Sequence, residues 1–86
     1  MKKLDNFQIF GTQVGSQEAS RLDEISILAT SETLKEIGVF LINAAYEMER
    51  SDTEHMHLQD AIQNFSYKRH VDIISINRKK IKFKKS

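Results

Sequence analysis

SETLKEIGVFLINAAYEMERSD, residues 31–52, is the stretch on which the fold turns. Leu34, Ile37, Leu41, Ala44, Ala45 and Met48 recur at steps of three and four, which lines them along one stripe of a helix, while Lys35, Glu36, Glu47, Glu49 and Arg50 lie mostly off it. The spacing predicts an amphipathic helix over residues 31–50. Thr30 or Ser31 can accept a hydrogen bond from a free amide at its start, and Glu32 and Glu36 suit the positive end of its dipole. Val39, Phe40, Ile42 and Tyr46 widen the apolar sector, so the helix is expected to lie across a sheet with its flank partly covered. Gly38 costs about 1 kcal/mol relative to alanine in a helix interior. Either it admits a strand side chain at close range or it sits neutrally at a solvated point.

Outward from the helix, the pattern changes to period two. NFQIFGTQ predicts a strand over residues 7–12 ending in a turn, and EISILAT predicts a second over residues 24–30 with Ile25, Ile27 and Ala29 on one face. Between them SQEASRLDE reads as a loop or a single helical turn. Residues 53–65 admit two readings: a strand with Met56 and Leu58 inward and His55, His57 and Gln59 outward, or a helix on Leu58, Ala61, Ile62 and Phe65. A strand over 54–59 followed by a short helical or irregular excursion accommodates both. VDIISIN, residues 71–77, is nearly all β-branched and is the most secure strand. A turn at Asn77, Arg78 and Lys79 leads to KIKFKK, whose alternating lysines suit a charged edge strand. The expected fold class is α+β: a single domain over residues 1–86, a two-layer sandwich of one main helix on a largely antiparallel sheet of four or five strands, with a basic C-terminal strand or tail over 78–86. Leu34, Ile37, Leu41, Ala44 and Met48 are expected to pack on Ile25, Ile27, Ile73 and Ser75.

At 86 residues, with 40% hydrophobic and 29% charged, the chain supports one small core. It has no cysteine, which rules out disulfides, thiolate metal sites and cysteine nucleophiles and points to a reducing cytoplasm. The uncharged run over residues 37–46 is about half of what a bilayer-spanning helix needs, so no membrane association is expected. After Lys2 and Lys3 come Asp5 and Asn6 where a signal peptide would continue apolar, so export by that route is not expected either.

The net charge of +1 conceals a segregation. Residues 4–67 set Arg21, Lys35 and Arg50 against eleven acids, for −8, whereas residues 78–86 carry six basic residues and no acid. An acidic lobe repels phosphate backbones and attracts basic protein surfaces. Glu47, Glu49, Asp52, Glu54 and Asp60 fall within fourteen residues, with Arg50 the one cation among them. They are the expected partner-binding acids, with Tyr46, Met56 and Phe65 as apolar anchors.

The chemistry-bearing motifs are sparse. His55 and His57 project from one face of a strand about 7 Å apart, near enough for one zinc, with Asp60, Glu54 or His70 as a further ligand. HxH alone is a weak signal, and a partner-binding or solvated face ranks above a metal site. No serine sits in a nucleophile elbow, Gly11 and Gly15 lack P-loop spacing, and Glu47 and Glu49 diverge on a helix, so no catalytic residue, cofactor or enzyme activity is expected. Tyr67, Lys68, Arg69 and His70, with Phe83 among lysines, have the composition of a nucleic-acid patch. The acidic body opposes that use, so nucleic-acid binding or regulation through the basic tail ranks second.

The helix ending LINAAYEMER, the HMHLQD segment and the VDIISIN strand resemble small bacterial immunity proteins of polymorphic toxin systems, over residues 34–77. The resemblance implies a compact cytoplasmic α+β protein that inhibits a toxin domain by stoichiometric binding. The positions it carries over are His55, His57, Leu58, Gln59, Asp60 and Asp72. The expected partner is therefore a basic protein bound through Glu47, Glu49, Asp52, Glu54, His55, His57, Gln59 and Asp60. The oligomeric state is left open.

Overall fold

The computed structural model describes residues 1–81 of the chain. The fold is α+β, with one long helix and two small antiparallel sheets. Strand β1 (Ile9–Thr12) pairs with β2 (Ala19–Leu22) as a hairpin, with Ile9 opposite Leu22 and Thr12 opposite Ala19. Its turn closes through the Ser16 amide, which donates to the Gln13 carbonyl at 2.9 Å, and Gly15 supplies the positive φ of 86°. Helix α1 (Ser31–Ser51) follows, then β3 (His55–His57), the single turn α2 (Leu58–Ala61), β4 (Ile74–Ile76) and a 3-10 turn, Arg78–Lys80. Strands β3 and β4 pair with His55 opposite Ile76 and His57 opposite Ile74.

Helix α1 starts as its sequence dictates. The Thr33 amide donates to the Thr30 hydroxyl at 3.2 Å, and the Leu34 amide donates to the Thr30 carbonyl at 2.9 Å. It stops at Asp52, whose left-handed backbone (φ 57°, ψ 34°) turns the chain toward β3. Among the described residues, no helix is long and apolar enough to cross a membrane.

The inward face of α1 is rotated from the stripe read above. Phe40 and Ala44 are buried, Ile37 and Met48 are half-buried, and Leu34 and Leu41 are exposed. Leu58 of α2 completes the buried apolar set. The sheet departs from expectation too: the four strands form two separate two-stranded sheets, not one sheet under the helix. Residues 24–30 form no strand, and Ile25 and Ile27 are exposed instead of packed against the helix. The second strand lies earlier, at Ala19–Leu22, where a short hairpin loop can close on β1 at small entropic cost. The segment after α1 follows the combined reading, a short strand then one helical turn. The expected final strand lies mostly outside the described residues.

Asn77 holds this half of the molecule together. It is the buried polar residue, 9% exposed, and its groups are bonded. Its amide donates to the Glu54 carbonyl at 2.7 Å, and its side chain donates to the Thr53 carbonyl at 3.1 Å. Its side-chain oxygen accepts from the Lys79 amide at 3.1 Å. One residue thus ties the exit of α1 to the end of β4.

Candidate functional site: the HMHLQD rim and the acidic helix end

The register of β3 on β4 positions the site. Continued two residues past the His57–Ile74 pair, it sets Gln59 opposite Asp72. There Asp72, its side chain 11% exposed, accepts twice: from the Gln59 amide at 2.9 Å and from His57 Nδ1 at 2.7 Å. A carboxylate only accepts, so His57 donates from Nδ1 and its Nε2 is the nitrogen left to face outside partners. Gln59 is held from its other end, its side-chain oxygen accepting from the Tyr67 hydroxyl at 2.7 Å. Tyr67 stands edge-on to Phe65 at 4.8 Å, and the His70 ring lies 5.7 Å from Phe65 on a tilt. The Ser66 amide donates to His70 Nδ1 at 3.0 Å, which closes the 66–70 loop. The rim is therefore braced from behind by a polar network.

His55 and His57 meet edge to face with ring centres 5.3 Å apart, and with Met56, Asp60 and Ala61 they line a shallow open depression. Among the described residues, no group of three or more His, Asp or Glu side chains is placed to hold a metal ion. His57 turns its Nδ1 to Asp72, and His70 turns its Nδ1 to the Ser66 amide.

The five acids separate into two groups. Glu47 is half-buried, ion-paired with Arg50, and accepts from the Ser51 hydroxyl at 3.3 Å. Asp52 is ion-paired with Lys80, a cation remote in sequence, so Arg50 is not the only cation facing this cluster. Glu54 lies 4.0 Å from His55. Asp60 and Glu49 are exposed and have no ion pair among the described residues. Glu54 and Asp60 flank the histidine rim. Glu49 lies elsewhere, about 140° around the helix axis from buried Ala44.

No protein-family model, curated protein or solved structure matches the chain.

Of the motif residues His55, His57, Gln59 and Asp60, the structure places His55, His57 and Asp60 around one depression, while Gln59 shares the Asp72 carboxylate with His57. Asp72 entered only through the family resemblance, yet it organises the rim. The available signal was the hairpin register, which needs the strand bounds to within one residue. Tyr67, read as part of a basic stacking patch, donates its hydroxyl to Gln59 and remains exposed. Of the basic side chains near the C-terminus, Arg78 donates to the Gln8 side chain and Lys80 pairs with Asp52.

Proposed function

We propose that the chain is a non-enzymatic protein-binding module, an immunity-type inhibitor that neutralises a basic toxin domain by stoichiometric binding in the cytoplasm. The observation that carries the reading is the braced rim. His57 is held by Asp72, Gln59 is held by Asp72 and Tyr67, His55 meets His57 edge to face, and Glu54 and Asp60 stand beside them with no Lys or Arg partner among the described residues. A preorganised polar edge loses little side-chain freedom on binding, which is how such surfaces gain affinity. The flanking carboxylates attract a cationic partner over distance, and half-buried Met56 and Phe65 offer apolar contact beside them.

The test is association kinetics with a partner recovered by co-purification, measured from low to high salt. The wild-type rate is expected to fall steeply as the Debye length shrinks to about 8 Å at physiological ionic strength. Glu54→Lys combined with Asp60→Lys is expected to slow association about tenfold or more at low salt. A rate indifferent to salt and to both reversals rejects the acidic-rim mechanism. Tight binding to DNA or RNA would transfer the function to the basic C-terminal residues.

A further inference from the structure

We infer that the outward face of α1 is a two-fold interface with a second copy of this chain. This goes beyond the toxin-binding reading and does not depend on it, because it concerns the opposite side of the helix and needs no foreign partner.

The first observation is how much surface the chain leaves open. Its accessible area is 8569 Å², whereas a compact monomer of 10.0 kDa exposes about 5200 Å². Its radius of gyration is 14.2 Å, against about 12 Å for a compact chain of this length. The surplus, about 3300 Å², is several times the roughly 800 Å² that each partner contributes to a standard interface. On α1 the surplus is apolar and contiguous: Leu34, Val39, Leu41, Ile42 and Tyr46 are 45% to 65% exposed.

The second observation concerns Gly38, which is on this face. A Cβ placed there would meet nothing within 4 Å, so no neighbour in the same chain accounts for a glycine in mid-helix. A second helix approaching closely would.

The third observation selects the occupant. The outward seam reads Lys35, Gly38, Ile42, Ala45, Glu49, steps of three and four that keep all five residues on one side. Lys35 and Glu49 close the seam at its two ends, each seven residues from Ile42 and about 10 Å from it along the axis. Neither has an ion-pair partner among the described residues. A two-fold axis through Ile42, with the helices antiparallel, places Lys35 of each copy against Glu49 of the other. The same operation sets the gap at Gly38 opposite Tyr46, a small residue facing a large one. A parallel pairing would oppose lysine to lysine and glutamate to glutamate. The face is thus self-complementary in charge and shape about one axis, the condition for an isologous dimer.

Sedimentation of the purified chain alone, from low to high micromolar concentration, tests this. The expected result is a reversible dimer of twice 10.0 kDa. Lys35→Glu and Glu49→Lys should each weaken it about tenfold or more, while the double variant K35E/E49K should recover wild-type affinity. A mixture of the two single variants should form the heterodimer preferentially. Ile42→Glu, at the axis, should give a monomer of unchanged helicity, since Ile42 is 59% exposed within one chain. A monomer at every concentration, or a dimer indifferent to the single charge changes, overturns the proposal and leaves the face to a foreign partner. Because the double swap keeps every charge and alters only their arrangement, its recovery separates an interface effect from a folding defect.

Discussion

At the scale of single residues, the side chains that matter most are polar and bonded rather than apolar and packed. Asn77 and Asp72 each satisfy several groups at once, one at the exit of α1 and one behind the histidine rim. Replacing Asn77 by alanine strands the Thr53 carbonyl and the Lys79 amide without restoring any contact. The expected loss is about 1 to 3 kcal/mol of folding free energy, read as a lower urea midpoint. An unchanged midpoint would mean that water replaces the side chain at no cost. The sequence marked Asn77 only as a turn former, because burial of a short polar side chain depends on which backbone groups surround it. The histidines carry a separate expectation: if His55 and His57 serve a surface role, a chelator should leave the melting temperature unchanged, because no metal-binding free energy would then contribute to the fold. Stoichiometric zinc retained through purification, together with a chelator-induced fall in melting temperature, would reverse this.

The elements differ in how far they could be read in advance. The three- and four-residue spacing located α1, whose ends at Ser31 and Ser51 fall within a residue of the expected bounds. Spacing did not settle which side of it faces inward, because apolar residues occupy most of its circumference and only the neighbouring elements choose among them. Phe40→Ala should therefore cost about 3 to 5 kcal/mol as a buried aromatic, whereas Leu41→Ala, 45% exposed, should cost about 1 kcal/mol or less. Urea unfolding of the two variants at low protein concentration gives the comparison. Equal losses would mean that the helix is turned the other way. Period-two alternation failed as a locator for the second strand. It reports a segment with two unlike faces, but a strand also needs a partner edge, and β1 takes the nearer segment across the Gln13–Ser16 turn. In the rim, HMHLQD was legible as a cluster of binding types, while its bracing by Asp72 and Tyr67 followed only from contacts across fifteen and eight residues of chain.

Across the whole molecule, the α+β class was legible because helix and strand periods alternate in blocks. The single sheet was not, because neither periodicity nor composition specifies which strands become neighbours. The described structure buries only Phe40, Ala44 and Leu58 among its apolar side chains, and so small a core contributes little toward the roughly 1 to 2 kcal/mol of backbone entropy lost per ordered residue. Either proposed association would add to it, since any partner that binds only the folded state raises its apparent stability by mass action. The hairpin carries a different consequence. Strands β1 and β2 ladder chiefly with each other, and the side-chain bond from Arg78 to Gln8 fastens them to the rest. Variation in the Gln13–Ser16 turn therefore leaves the buried residues untouched, and loop tips of this kind are where chains accept insertions. The tip of the hairpin is therefore the place where added or altered residues would disturb neither the helix nor the Asn77 clamp.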